Sequence, residues 1–406
     1  MAVPGSAHHV ADSRQAVTLK RAAAITGIGE MKPTRSPDGK STLGIWTDVA
    51  RHAVLDAELS IADIDGLLIG QPITEQAQMW PSILGEYLGV HPRYGNVVDL
   101  GGASAAGMVW RAAAAIESGL ANAVLCVTGE ASDVETFYAP RARRSAQQLP
   151  YREFEVPYGP MGVNSGYALI AARHMYEYGT TSRQLAKIAV DQRTNACANP
   201  DALFYGKPLT VDDVLASPLV VDPLHLLEIV RPCTGGAALV VVSPQLARES
   251  SNPPVWLLGA GESSRGMMLS QMDSITTSPI TEAAPKAFAM AGVSHKDIDL
   301  ISVYDCYTIT VLVTLEDAGF CAKGKGGPFV EEHDFTWQGD MPLNTHGGQL
   351  SFGQPGLAGG MSHVTEAVRQ LQHRAGERQV ADCEVAFVNG NGGIMSEQVS
   401  LVLGIE

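Results

Sequence analysis

Apolar positions along the chain fall into short strand-like runs separated by helical periodicity, and the series occurs twice. Ala24-Ile25-Thr26-Gly27-Ile28-Gly29 reads as a strand, a helix follows around Thr47–Glu58, and Ala62-Asp63-Ile64-Asp65 leads into a second strand, Gly66-Leu67-Leu68-Ile69-Gly70. In the second half Val255-Trp256-Leu257-Leu258-Gly259-Ala260-Gly261 matches the first strand, and a helix follows around Ile280–Ala291. Lys296-Asp297-Ile298-Asp299 then leads into Leu300-Ile301-Ser302-Val303-Tyr304. The two Asp-Ile-Asp tripeptides mark equivalent points of an internal repeat. Each copy continues with a Gly-rich turn, a helix of small residues and another strand. In the first copy these are Gly101–Ser104, Ala105–Ser118 and Ala123–Thr128. In the second they are Gly347-Gly348 with Gly353–Gly360, then Met361–His373, then Glu384–Val388.

Strands alternating with helices of this length predict a parallel sheet with crossover helices. Two copies predict two pseudo-symmetric βαβαβ halves. The join falls at Pro244–Pro254, where polar residues and Pro253-Pro254 break the pattern. The organisation expected is a flexible tail over residues 1–18, an N-terminal half over 19–250 and a C-terminal half over 251–406. Residues 132–204 do not fit the repeat, and they read as a loop insertion over one face, with helices near Ser165–Tyr178 and Ser182–Ala196.

Composition narrows the partners. The formal net charge of -15 argues against nucleic acid as the main ligand, which needs a basic face. No apolar run is long enough to span a bilayer. The six cysteines are scattered without a CxxC pair, so reduced thiols in a cytoplasmic protein are expected, with no metal site. The first 15 residues lack the apolar stretch of a secretion signal.

Candidate chemistry sits in four loops at strand ends: Gly101–Ser104, Tyr304–Thr308, Gly353–Gly360 and Asn389–Gly393. Strand-end loops line the ligand crevice of wound α/β folds, and their backbone amides can stabilise an oxyanion. Each single loop is also plain turn chemistry; four of them, placed symmetrically, point to a site.

Three of these stretches carry a family resemblance. Ser302-Val303-Tyr304-Asp305-Cys306-Tyr307, with Leu315–Cys321, resembles the His-Asp-Cys-Phe segment of the sterol-carrier (lipid-transfer-protein) thiolases. Asn344-Thr345-His346-Gly347-Gly348 with Gly353-Gln354-Pro355-Gly356 resembles the thiolase Asn-x-x-Gly-Gly and Gly-His-Pro pattern. Pro232–Ala238 resembles a further thiolase turn before a strand. The resemblance runs from about Ala24 to the C-terminus and implies a thiolase fold: a five-layered α/β/α/β/α core with a loop insertion.

The departures shape the functional expectation. The place of the acylated thiolase cysteine falls on Gly102, and neither Gly101, Ala103 nor Ser104 supplies a thiol. Tyr304 and Gln354 replace the two site histidines, and Asn389-Gly390-Asn391-Gly392 replaces the last-loop Cys-x-Gly. This pattern is similar to thiolase-like aldolases of bacterial steroid side-chain degradation, which share a tyrosine at position 304. Those aldolases typically place a second tyrosine where this chain has Gln354.

The resemblance implies retro-aldol cleavage of a β-hydroxyacyl-CoA, with a steroid or other bulky side chain, to a ketone or aldehyde and a shorter acyl-CoA. It implies no cofactor, CoA being part of the substrate. It also implies a homodimer and a separate OB-fold, zinc-ribbon partner of the DUF35 class. Tyr304, Gln354 and His346 are the candidate catalytic residues. Gly102, Ser104, Asp305, Tyr307, Asn344, Gly353, Asn391 and Gly392 are the candidate substrate contacts.

Each has a structural reading beside the functional one. Asp305 caps the following helix, Tyr307 and Cys306 are core, and Asn344 fixes its loop. Gln354 donates to a thioester oxygen or holds its loop. His346 is an acid–base group or a hydrogen-bonded structural histidine. Asn391 and Gly392 form an oxyanion pocket or a turn. Two other functions stay open: acyl transfer through an unusual nucleophile such as Ser104 or Cys306, and acyl-CoA or lipid binding without turnover.

Overall fold

The computed structural model describes residues 18–75, 77–137, 153–159 and 162–405. The expected tail, except residue 18, and residues 138–152 and 160–161 of the expected insertion lie outside them.

The described elements run in chain order as β1 (Ala24–Glu30), α1 (Thr42–Asp56), β2 (Gly66–Gly70), α2 (Trp80–Leu88), β3 (Tyr94–Val98), α3 (Ser104–Glu117) and β4 (Ala123–Glu130). Then come α4 (Val163–Tyr178), α5 (Ser182–Cys197), the hairpin β5 (Leu219–Val221) and β6 (Leu224–His225), and β7 (Gly235–Val242). The second half supplies β8 (Val255–Ser264), α6 (Ile280–Ala291), β9 (Leu300–Val303), α7 (Thr308–Asp317), α8 (Gly360–Leu371), β10 (Val385–Gly392) and β11 (Glu397–Gly404).

Strand order is β3-β2-β4-β7-β1 in the first half and β8-β11-β10-β9 in the second. Two residue pairs, Ala24–Trp256 and Ile25–Val255, join the halves edge to edge. The repeat holds in detail. In each half the second strand pairs in parallel with the strand after the small-residue helix, and the last two pairings are antiparallel. The parallel bridge of Ile301 to Leu343 stands where β2 pairs with β3 in the first half.

The five layers follow from the alternation of side chains. Leu67, Ile69, Leu125 and Val127 face α1 with Trp46, Ala50 and Ala53. Leu68, Val124 and Cys126 face the opposite way, onto Met108, Val109 and Ala112 of α3 and Val364 and Val368 of α8. Ala386, Val388 and Leu401 meet the same two helices from the second half of the nine-stranded sheet, while Phe387 and Val402 point outward to α6. Strands buried on both faces read as continuous apolar runs, and these do.

The Asp-Ile-Asp tripeptides do the same work in both copies. Asp63 and Asp297 accept from Ser60 and Ser294 in capping boxes. Asp65 accepts from the Asn122 and Ala123 amides at the start of β4, and Asp299 from Glu384 and Val385 at the start of β10. Glycine is required where each first strand meets its helix: a Cβ on Gly29 would lie 2.2 Å from the Val49 carbonyl oxygen, and one on Gly261 2.0 Å from that of Ala283. Helix α1 starts at Thr42 rather than near 47, because the Ser41 hydroxyl caps it by accepting from the Gly44 amide.

The connection from β4 to β7 leaves the first half and crosses to the second. Its α4 and α5 pack on α7, and α5 also packs on the short helix Gly348–Ser351. That crossing carries Tyr167 and Gln192 to the strand ends of the other half.

A buried ion cluster anchors α8. Glu366 accepts two hydrogen bonds from Arg378, at 2.9 Å each, and one from Thr345 at 2.7 Å. Burial pushes its pKa up, but Arg378, the neighbouring His346 and Arg369 outweigh this and hold it at about 2. A carboxyl whose folded pKa is depressed contributes stability above its unfolded pKa, and that contribution is lost as pH falls through the folded value. The window here is from about pH 4.5 down to about 2, and the contribution is about 3 kcal/mol. Glu366→Gln leaves Arg378 buried without its charge partner and is expected to cost about 3–5 kcal/mol at neutral pH. Urea unfolding of both proteins from pH 7 downward checks this; a gap that fails to narrow on acidification refutes the assignment.

Candidate active site

The site lies where the N-terminus of α3, the loop after β9, the 353–360 loop and the end of β10 converge. Gly101 takes a positive φ of 57° and turns the chain into α3. A Cβ on Gly101 would come 3.0 Å from Gly392 Cα, and one on Gly392 would come 1.9 Å from the Leu100 carbonyl oxygen. Backbone therefore meets backbone here, and no side chain fits.

Gly102 is the decisive position. A Cβ on it would lie 2.2 Å from Tyr304 Cε2, 2.3 Å from Tyr304 Cζ and 2.5 Å from the Asn391 carbonyl oxygen. The tyrosine ring occupies the volume into which a side chain at 102 would project. A side chain at 102 and the Tyr304 ring therefore exclude one another.

Tyr304 follows β9, and its amide donates to the Asn389 carbonyl at 2.9 Å. Its side chain is buried, and its hydroxyl accepts a hydrogen bond from Gln354 Nε2 at 3.0 Å. Burial first, then the nearby Cys306, raises its pKa well above the ordinary tyrosine value; the Gln354 and Gln349 amides pull the other way and offset only part. The phenol is therefore protonated at neutral pH. Gln354 is itself fixed from both sides of its backbone, donating to the Arg231 carbonyl at 3.3 Å and accepting from the Cys233 amide at 3.1 Å. Gly353 beside it needs its φ of +131°.

The remaining candidates divide. Asp305 is fully buried and caps the short helix Gly348–Ser351, accepting from the Gln349 amide at 2.8 Å and the Leu350 amide at 3.2 Å. The cap is thus on a different helix from the one that follows it in sequence. Asn344 holds β9, accepting from the Val303 amide at 2.8 Å and donating to the Val303 carbonyl at 2.9 Å. Tyr307 donates to Asn164 and stacks on Tyr167 with ring centroids 4.2 Å apart. Ser104 is occupied by its own turn, donating to the Gly101 carbonyl and accepting from the Leu100 amide. The Cys306 thiol is buried and pushed up to about 12, which leaves negligible thiolate at neutral pH.

Asn391 and Gly392 are not a turn. They end β10, paired with Gln398 and Glu397. The Asn391 side chain donates to the Tyr167 hydroxyl at 2.9 Å and accepts from Gln398 at 2.7 Å, so its amide is engaged at both ends.

His346 is buried, with Nε2 3.2 Å from the Ser362 hydroxyl. Burial, then the charge of His363, lowers its pKa well below the ordinary histidine value, so it is neutral at pH 7. It does not sit against the phenol. Between them lies His363 of α8, its ring 6.1 Å from that of Tyr304 and 5.1 Å from that of His346. Sequence reading passed over His363, Gln349 and Tyr167. His363 looks like one position of a buried helix, and only the crossing of α4 brings Tyr167 here. The one available signal was a histidine in the first turn after a Gly-rich loop.

Comparison with known proteins agrees with this architecture. Residues 261–405 match the thiolase C-terminal domain-like family. A steroid side-chain-cleaving aldolase of Thermomonospora curvata is 33% identical over 96% of this chain and 99% of its own. A 17-hydroxy-3-oxo-4-pregnene-20-carboxyl-CoA lyase of Mycobacterium tuberculosis is 30% identical over 95% of this chain and 100% of its own. An acetyl-CoA acetyltransferase of Methanothermobacter thermautotrophicus is 33% identical over 92% of this chain and 97% of its own. The solved structure of an Ltp2–ChsH2(DUF35) aldolase superposes with a TM-score of 0.85 at 32% identity, covering 95% of this chain and 98% of that one.

Proposed function

The chain belongs to the thiolase superfamily, and from that membership and the geometry at Gly102 we propose that it is a thiolase-fold carbon–carbon lyase, an aldolase acting on β-hydroxyacyl-CoA thioesters. The relatives named for aldolase and lyase chemistry on steroid side chains support a steroid or similarly bulky acyl group. The observation that carries the reading is the Tyr304 ring filling the space of a side chain at residue 102. An acetyltransferase of this fold needs a nucleophile there; a retro-aldol cleavage does not.

In that cleavage the substrate hydroxyl gives up its proton, the Cα–Cβ bond breaks, and the ketone or aldehyde departs. The thioester enolate left behind takes a proton at its α-carbon. A phenol kept neutral by burial enters as the donor for that last step, and the Gln354 amide stabilises the phenolate formed. The proton leaving the hydroxyl needs a neutral acceptor, and His346, held neutral by burial, is the candidate for it, with His363 standing between it and Tyr304. The reaction as written calls for no metal or redox cofactor.

The assembly is proposed as a homodimer with a separate DUF35-class subunit, supported by the solved aldolase named with such a protein. Strand β3 is an outer strand of the sheet, with Gly95 and Asn96 exposed, and so offers an open edge for a second copy. No described helix is long and apolar enough to cross a membrane, and a cytoplasmic place is proposed.

The test uses the protein alone and co-purified with a DUF35-class protein, sized by sedimentation. Product formation is followed by mass spectrometry. Cleavage of a β-hydroxyacyl-CoA without free CoA is expected. Cleavage only of a β-ketoacyl-CoA, dependent on free CoA, would make it a thiolase. Binding without turnover of either would make it a carrier. A mass of one chain at working concentration would refute the dimer.

A further inference from the structure

The buried polar groups behind Tyr304 form a chain that the reaction as written does not use. Gln349, on the short helix Gly348–Ser351, is fully buried. Its Nε2 lies 3.1 Å from His363 Nε2, and the amide is near enough to the Tyr304 hydroxyl to draw its pKa down. Its Oε1 has no hydrogen-bond partner. His363 Nε2 also lies 3.1 Å from Asp305 Oδ1, and His363 Nδ1 lies 3.3 Å from the Ser302 hydroxyl.

Two proton arrangements satisfy these contacts differently. With Nδ1–H on His363, donated to Ser302, the Gln349 amide gives one hydrogen to His363 Nε2 and has the other to offer toward the phenol oxygen. Asp305 then faces an imidazole lone pair, which is unfavourable. With Nε2–H on His363, donated to Asp305, the Gln349 amide turns over. Its otherwise unpartnered oxygen then faces His363 and the phenol, and the phenol donates to it. A side-chain amide has a donor end and an acceptor end, so whatever His363 shows on one side decides what Tyr304 meets on the other.

We propose that Gln349 and His363 are positioning residues that set the hydrogen-bond polarity at the Tyr304 hydroxyl. The Gln349 amide meets His363 at 3.1 Å and stands near enough to the Tyr304 hydroxyl to influence its ionisation. In one orientation the phenol receives two donors, from Gln354 and Gln349, and phenolate is favoured. In the other it keeps one donor and gains an acceptor, and phenol is favoured. A proton donor that must be regenerated each turnover needs both states within reach. The ionisable groups facing this chain are Asp305 from the loop after β9, His346 from the 344–348 loop, Cys306, and Glu366 beyond His346 on α8.

This inference rests on the aldolase reading for its kinetic consequence but not for its spectroscopic one. Gln349→Met, which keeps volume and removes the amide, and His363→Gln, which keeps a polar atom near Nε2, are made in the full chain. Each is purified as the assembly that carries activity. The Tyr304 13Cζ resonance, assigned with Tyr304→Phe, reports whether the phenol oxygen accepts or donates. Both variants are expected to shift it. Each should lower kcat about tenfold with KM nearly unchanged, the rate effect of one lost hydrogen bond to a reacting group. The double variant should cost no more than the worse single one, because both act through one amide. An unmoved resonance in both folded variants overturns the proposal, and so do additive rate losses. If the parent protein cleaves no hydroxyacyl-CoA, the aldolase reading falls, and the resonance alone decides the relay.

Discussion

Replacing Tyr304 by phenylalanine is expected to lower kcat for β-hydroxyacyl-CoA cleavage about 10²- to 10⁴-fold, the range for loss of a positioned proton-transfer group. The change removes one oxygen and keeps the ring that fills the space beside Gly102, so the surrounding backbone has no cause to move. The cost to folding falls first on the Gln354 amide, which loses its 3.0 Å acceptor in a buried setting, about 1–3 kcal/mol. Substrate affinity, measured by isothermal titration, should change little, since no thioester contact is assigned to the hydroxyl in the ground state. Retention of more than a tenth of the parent kcat would remove Tyr304 from proton transfer and leave it as packing.

Gly102→Cys is expected to produce a less stable protein that is still not a thiolase. The new Cβ would overlap the Tyr304 ring at 2.2 Å and the Asn391 carbonyl oxygen at 2.5 Å. Asn391 is held in the β10–β11 ladder and cannot withdraw. Overpacking of this kind costs about 1–3 kcal/mol when neighbours can adjust, and here one of the two neighbours is backbone. Thermal melting should fall, intact-mass analysis after acyl-CoA incubation should show no acylation, and CoA-dependent cleavage of a β-ketoacyl-CoA should stay absent. A double-mutant cycle isolates the ring's share. In a Tyr304→Ala background the penalty of Gly102→Ala should shrink by the part due to the ring, leaving the part due to the carbonyl. An unchanged melting temperature for Gly102→Cys, or an acylated cysteine, would show that the ring does not own this space.

These two expectations separate this chain from the acetyltransferase it equals in identity to its aldolase relative. Overall similarity does not distinguish them. The contact at Gly102 bears on the difference, because acyl transfer through a thiol needs a nucleophile at the start of α3 and a retro-aldol cleavage does not.

The sequence alone determined the repeat, the layered α/β core and the absence of the thiolase cysteine. Those features are written locally. Continuous apolar runs and helical apolar periodicity mark the strands and helices, and the matched Asp-Ile-Asp tripeptides fall at capping boxes and strand starts in both halves. Gly27, Gly29, Gly259 and Gly261 mark strands crossed closely by a helix. The candidate loops were also legible, since Tyr304 and Gln354 do meet, although the 353–360 loop follows the short helix Gly348–Ser351 and not a strand as expected.

Tertiary structure decided what each side chain there is free to do. Asn391 reads as an oxyanion donor until Tyr167, more than 200 residues away in sequence, takes its amide. Asp305 reads as the cap of the next helix until the fold brings the 348–351 helix to its carboxylate. His346 reads as an acid–base group or a structural histidine until α8 interposes His363 between it and Tyr304. Each outcome depends on contacts between segments far apart in the chain. Spacing along a sequence carries no information about which distant group will consume a donor, or fill a volume, first.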